Sequence, residues 1–222
     1  IEKPLALNTQ STLRIRDAHL KTQVPASGAY YRRALPLFNK VKSLLAENKI
    51  GKVKLVNVST LQAVNENIIT KTPDNWRVNP SLSGGGYFHD LSPHQLDLMY
   101  WFFGKPIEVR GRSLKQDKKY HAPDITSLEA VFPHDILFRG VWSFNVHSSA
   151  VADTCEIMGD LGMMKFPFFT GAKLEIKISG ETYTMEFINH PNIQFDMIER
   201  VVKYFRGEGD NPCSMDDALV SL

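Results

Sequence analysis

The residues best suited to chemistry lie in one stretch, Gly84-Gly85-Gly86-Tyr87-Phe88-His89-Asp90-Leu91-Ser92-Pro93-His94-Gln95-Leu96-Asp97. If this stretch is helical from about Tyr87, Asp90 and His94 fall at i and i+4, one turn apart on one face, and Asp97 shares that face. A carboxylate beside an imidazole is a unit for proton transfer. The imidazole titrates near pH ~6.5, and a neighbouring carboxylate can orient it and stabilise its cation. Glycines ahead of it would let backbone approach a ligand closely. The same residues also fit a plain structural role, with His94 and Asp97 as packing or capping groups and the glycines as a turn. A third reading takes His89, Asp90, His94 and Asp97 as nitrogen and oxygen ligands of a metal. Zinc sites on a single helix present two histidines at i and i+4, whereas His89 and His94 are five apart. Lys3, in Glu2-Lys3-Pro4, reads by itself as a surface lysine.

The elements around this stretch follow from hydrophobic spacing. Leu5 to about Lys21 suits a modest helix, and Val24 to Tyr31 a short buried strand. Leu35 to Asn48 carries Leu37, Phe38, Val41, Leu44 and Leu45 at helical spacing, with Gly51 near its end. Val53 to Val64 alternates as a strand, and Thr72 to Ser83, rich in Pro, Asn and Ser, reads as loop. Tyr87 to Phe103 is helical by period. Pro93 is tolerable only close to a helix start, so the helix could instead begin nearer Leu91 or Ser92. Beyond Pro106 the chain changes character. Ile107–Leu114, Ile125–Phe132, Ile136–Val146, Thr154–Met158, Gly162–Phe166, Lys173–Ile178 and Tyr183–Phe187 are short, β-branched or aromatic, and separated by turn residues. They predict an antiparallel meander. Ile193 to Phe205 and Ser214 to Leu222 return to helix. Helices followed by a run of strands make the fold class α+β.

Composition excludes several functions. The 222 residues include 26 Lys and Arg against 24 Asp and Glu, and no basic run suits nucleic acid or a membrane surface. Apolar runs fall far short of the ~20 residues of a membrane span. Two cysteines, Cys155 and Cys213, suit a reducing compartment such as the cytoplasm.

Four stretches, in order, resemble the Gfo/Idh/MocA family of oxidoreductases. Glu2-Lys3-Pro4 looks like the E-K-P motif late in the family's Rossmann domain. Ala29-Tyr30-Tyr31-Arg32-Arg33, with the helix to Ile50-Gly51-Lys52-Val53, resembles the crossing into its second domain. Trp76-Arg77, Gly84-Gly85-Gly86, Asp90, His94, Asp97, Trp101 and Gly104-Lys105-Pro106 resemble its G-G-G…D-x-x-x-H signature. Ile193 to Phe205 resembles its returning helix.

The resemblance implies a large open, predominantly antiparallel sheet with helices on one face. It also implies hydride transfer between NAD or NADP and a sugar, polyol or related carbohydrate hydroxyl. His94 would be the acid/base, Lys3 would hydrogen-bond the reacting oxygen, and Asp90 would orient the hydroxyl or the imidazole. Tyr31, Arg32, Trp76 and Arg77 would line the substrate, and Glu2, Lys3, Pro4 and Arg33 would lie toward the cofactor. No metal is expected. Residues 1–31 would be the remnant of a dinucleotide-binding domain and 32–222 the substrate and oligomerisation domain. No G-x-G-x-x-G turn follows a strand here. Together with Ile1 in place of Met, this gives the expectation of a chain lacking its main cofactor site, binding NAD(P) weakly and inactive alone. The aromatics Phe132, Phe138, Trp142, Phe144, Phe166, Phe168 and Phe169 are numerous enough for both faces of the sheet, so a homodimer or tetramer through the sheet is expected. The rival functions are a non-catalytic homologue that dimerises or binds a ligand, and a metal-dependent hydrolase or isomerase built on His89, Asp90 and His94.

Overall fold

The computed structural model describes residues 1–63, 76–118 and 121–220. In chain order these form α1 (Thr9–Thr22), a 3₁₀ turn (Tyr31–Ala34), α2 (Pro36–Ala46), β1 (Val53–Ala63), a 3₁₀ turn (Trp76–Val78), α3 (Pro80–Ser83) and α4 (Tyr87–Phe103). There follow β2 (Glu108–Leu114), β3 (Ile125–Phe132), β4 (Ile136–Val146), β5 (Ala152–Gly159), β6 (Gly162–Phe166), β7 (Lys173–Ile178) and β8 (Glu181–Glu186). Helices α5 (Phe195–Phe205) and α6 (Met215–Val220) close the described chain.

The eight strands make one sheet in the order β2-β3-β4-β1-β5-β6-β7-β8. Every neighbouring pair is antiparallel except β1 and β4, which run parallel with Val58 opposite Gly140. This corrects the simple meander: β3 and β4 are chain neighbours, yet β1 is inserted between β4 and β5. A strand buried on a sheet's centre line has two partners, and spacing along the chain does not name them.

One face of the sheet carries the core. Val56, Val58, Phe138, Trp142, Phe144, Ile157, Met164, Phe166 and Leu174 pack there with Phe38 and Val41 of α2 and Leu98 and Met99 of α4. All of the strand aromatics meant to serve both faces lie in this cluster or, for Phe169, pack against it. The opposite face is polar: Arg139 bonds Asn57 and Lys165 pairs with Glu156, while Leu137 and Val141 are exposed. Aromatics are the largest apolar surfaces available, so burying these seven under the helices gains the most.

Helix α4 is clamped to the sheet by a buried polar chain. Trp142 Nε1 donates to Gln95 Oε1 at 2.6 Å, and Gln95 Nε2 donates to Thr60 Oγ1 at 2.7 Å. Gly140 makes room for this, since a Cβ there would collide with the Trp142 ring. The helix begins at Tyr87 and contains Pro93, so the later start near Leu91 is overturned. Pro93 removes the bond to the His89 carbonyl. Burial of Tyr87, Gln95 and Leu98 offsets that loss. Gly86 caps the helix at φ 81°, where a side chain would also meet Ala122.

Two further expectations change, and α5 shows an exposure that spacing alone does not reveal. Residues 24–30 form no strand: Gly28 N–H bonds Cys213 carbonyl and Ala29 N–H bonds Ile1 carbonyl, without a ladder. The stretch Trp76–Ser83 is two helical turns rather than loop, with Asn79 capping α3. The part of that loop from 72 to 75 lies outside the described residues. In α5 only Met197 is buried, while Phe195, Ile198, Val202 and Phe205 form an exposed apolar stripe. A second, small core joins Leu5, Tyr30, Ala34, Met197, Cys213, Met215 and Ala218.

Candidate active site

Helix α4 presents Asp90 in its first turn and His94 one turn later. Lys3, 87 positions earlier in the chain, reaches the same turn. Its Nζ donates to Asp90 Oδ1 at 2.9 Å and to the Asp90 carbonyl at 2.8 Å. Arg77 Nε approaches Asp90 Oδ2 at 3.2 Å from the other side, and its guanidinium stacks on Trp76 at 4.5 Å. The side chains of Lys3, Asp90 and Arg77 are 14%, 18% and 20% exposed, so the cluster opens to solvent at one edge.

His94 lies deeper, among aromatic rings. Its imidazole is edge-on to Tyr31 at 5.3 Å and to Phe169 at 6.3 Å, with Tyr30 at 6.4 Å. Its Nδ1 is buried and has no hydrogen-bond partner among the described residues. Burial, with the Lys3 ammonium and the Arg32 guanidinium nearby, holds its pKa well below the ordinary value, so the ring is neutral at neutral pH. No hydrogen bond links Asp90 to His94 among the described residues. Asp90 instead holds Lys3 and Arg77.

Asp97 leaves the constellation that its spacing suggested. Both of its oxygens accept from Arg33, Nε at 2.9 Å and Nη2 at 2.7 Å, in a pair almost closed to solvent. Arg33 also reaches Asp217 at 3.2 Å. Burial pushes the Asp97 carboxyl up to about 6, opposed by Arg33. Arg33 is therefore placed in a buried ion pair. Glu2 is exposed, its carboxylate accepting the Lys3 backbone N–H at 3.4 Å; Pro4 is half-buried, and the Lys3–Pro4 bond is cis. Trp76 is half exposed and Tyr31 half-buried against His94.

Two contributors were missed in the sequence. Asp153 on β5 accepts from the backbone N–H groups of Phe168, Phe169 and Thr170 at 3.0, 2.6 and 2.8 Å, and from the Thr170 hydroxyl at 3.0 Å. That fixes the turn carrying Phe169 against His94. Asn189 is the second: it lines a small cavity together with Arg32 and Phe169, and its Oδ1 is buried without a partner among the described residues. Nothing in local spacing marks either. Among the described residues His89 Nε2 is buried without a hydrogen-bond partner, and no group of three His, Cys, Asp or Glu side chains converges to hold a metal ion.

Among the described residues no helix is long and apolar enough to cross a membrane. The profile of the GFO/IDH/MocA C-terminal domain matches residues 38–165. Oxidoreductase P35 of Formosa agariphila is 37% identical over 220 residues, which cover 99% of this chain and 67% of that protein. The putative oxidoreductase YteT of Bacillus subtilis is 28% identical over 109 residues, 49% of this chain and 25% of that protein. Two solved structures share the fold at 19% identity. The aldose-aldose oxidoreductase of Caulobacter crescentus has a TM-score of 0.84 over 99% of this chain and 65% of its own. A levoglucosan dehydrogenase in complex with NADH and levoglucosan has 0.82 over 100% and 68%. With its eight-stranded sheet, its D-x-x-x-H helix and these matches, the chain belongs to the Gfo/Idh/MocA family of oxidoreductases.

Proposed function

We propose that the whole protein is an NAD(P)-dependent dehydrogenase that oxidises a carbohydrate hydroxyl and reduces the carbonyl in reverse. The observation that carries this is the meeting of Lys3, Asp90 and a buried neutral His94 at the start of α4. In this reading His94 accepts the hydroxyl proton as the C–H bond breaks and the C=O bond forms. The hydride leaving that carbon would go to a nicotinamide, which is the chemistry such a cofactor would supply when bound. Lys3 donates a hydrogen bond to the developing carbonyl oxygen and stabilises its charge in the alkoxide-like transition state. Asp90 positions Lys3 and Arg77, and Tyr31 and Phe169 keep water from the imidazole.

The residues present suit the nicotinamide end of such a cofactor. They do not supply a phosphate cradle: Gly84–Gly86 follows α3 rather than a strand. In this reading the dinucleotide is held by residues outside these 222, with 1–31 belonging to that half. Aldose and levoglucosan in the names of structural neighbours support a carbohydrate substrate. We also read the outer sheet face, with exposed Leu137 and Val141 beside Arg139, as the surface of self-association. A monomeric mass by light scattering would overturn that part.

The test uses the full-length protein, a panel of sugars and polyols, and NAD⁺ or NADP⁺. Wild type is expected to turn over at least one of them, and His94→Ala to lower kcat by about 10²- to 10⁴-fold. Undiminished turnover by the variant removes His94 from the chemistry.

A further inference from the structure

The strand register sorts the outward side chains of the sheet into rows that run across the strands. One row passes through Asn57, near the middle of β1. Toward β4 it continues as Arg139, Glu129 and Arg110, and toward β5 as Glu156, Lys165 and Glu175. Counted outward from Asn57, the charges read plus, minus, plus on one side and minus, plus, minus on the other. The next row passes through Leu55. It runs Leu137, Val131, Glu108 one way and Met158, Met163, Lys177 the other. Here two apolar residues precede a charge on each side, and again the two charges are opposite.

Contacts place these side chains on the uncovered face. Arg139 bonds Asn57 at 3.0 Å, Lys165 pairs with Glu156 at 2.9 Å, Arg110 with Glu108 at 2.6 Å and Lys177 with Glu175 at 3.2 Å. The side chains of the last three pairs are 27% to 81% exposed, so they can meet a second molecule. Opposite charges on adjacent strands stabilise a single sheet, which accounts for the alternation on either side of β1. It does not relate one side to the other, because Asn57 and Leu55 stand between them.

A two-fold axis does relate them. Two sheets packed face to face about an axis parallel to β1 and above it set β1 on β1 of the copy, β4 on β5, β3 on β6 and β2 on β7. Arg139 then faces Glu156 of the copy, Glu129 faces Lys165 and Arg110 faces Glu175. In the second row Glu108 faces Lys177, while Leu137 and Val131 face Met158 and Met163. Every pair occurs twice, and each sets charge on opposite charge or apolar on apolar. Other axes fail. An axis over β4 stacks Arg139 on itself, and one midway between β1 and β5 sets Arg139 on Lys165 and Glu129 on Glu175. An axis running across the strands along the Asn57 row sets every charge of that row on its own copy. The area is adequate too: eight strands at ~4.8 Å spacing make a face ~34 Å wide and ~20 Å high, on the order of 700 Å² per copy against the ~800 Å² of a standard interface.

We propose that the partner of the outer sheet face is a second copy of this chain, docked on a two-fold axis that runs along β1 at Asn57. This rests on the reading of that face as the surface of self-association and adds its register. Like-charge stacking excludes the neighbouring registers, so the charges choose the alignment and the apolar row supplies the burial.

The experiment measures the assembled mass of the full-length protein by sedimentation across a range of concentrations. Arg139→Glu and Glu156→Lys each set like charges together at two places in the dimer, and each alone is expected to weaken assembly through this face by about 10²-fold or more, halving the mass. Mixing the two variants restores assembly to within about tenfold of wild type, because the reversed residues meet each other and the untouched Glu156 and Arg139 still pair. Single variants that assemble like wild type, or a mixture that fails to recover, overturn the register. A wild type that stays monomeric overturns the self-association reading itself. Asn57→Cys provides a second measurement should a charge variant fail to fold. Its two copies face each other across the ~10 Å between packed sheets, so a bismaleimide of that length is expected to link them, whereas Thr184→Cys, four strands away on β8, stays unlinked. Wild type is the control, with Cys155 and Cys213 both 0% exposed. Linking at Thr184→Cys rather than Asn57→Cys, or at neither, overturns the proposal.

Discussion

Removing the carboxylate of Asp97 strands a cation in the interior, and the size of the effect follows from the geometry. Asp97 and Arg33 have side chains 1% and 4% exposed and share two short hydrogen bonds. Asp97→Ala leaves Arg33 with Asp217, a longer contact of 3.2 Å to a side chain that is 28% exposed. Breaking a buried pair by deleting one partner costs about 3–5 kcal/mol, and Asp217 keeps the expected loss near ~3. Replacing both partners, as in Arg33→Met with Asp97→Leu, removes the stranded charge together with its partner and is expected to cost less than ~1.5 kcal/mol. The assay is urea unfolding of wild type, Asp97→Ala, the singles Asp97→Leu and Arg33→Met, and their double variant. A loss below ~1 kcal/mol in Asp97→Ala, or a double variant as damaged as the sum of the singles, refutes the reasoning. The exposed pair Lys203–Glu199 on α5 is the control, where removal is expected to cost no more than ~0.5 kcal/mol.

His94 titrates below its unfolded value, so the unfolded chain takes up the proton first as pH falls. Its contribution to stability is present above pH ~6.5 and is lost below it, by up to ~1.4 kcal/mol per pH unit. Urea midpoints over that range should therefore fall less steeply in His94→Gln than in wild type, and parallel curves would refute this. Asp153→Ala frees three backbone donors of the 168–170 turn and should cost about 1–3 kcal/mol, so an unchanged Tm rejects its role as the tether of Phe169. Cys155 and Cys213 are both 0% exposed, and burial pushes the first thiol well up and the second up to about 12. Native protein at pH ~8 is expected to show no fast-reacting thiol with an aromatic disulfide reagent, and unfolded protein two; a fast native thiol contradicts the packing.

Elements whose signal is local can be read from the residues alone. The stripe Leu37, Phe38, Val41, Leu44 specified α2, and alternation located β3, β4, β6 and β7 to the residue. Helical period also placed Asp90 and His94 one turn apart. These readings hold because period and turn residues depend only on neighbours a few positions away. Tertiary structure decided everything that depends on partners. It inserted β1 between β4 and β5, gathered Phe132, Phe138, Trp142, Phe144 and Phe166 into one core, and kept α4 helical through Pro93 because Gln95 is bonded to Trp142 and Thr60. It also sorted the charges. Asp97 went to Arg33, Asp90 to Lys3 and Arg77, and Arg32 was buried with no salt bridge among the described residues. Which ion finds which counter-ion is set by burial and by segments distant in sequence, and an isolated Lys3 or Arg32 carries no local sign of either.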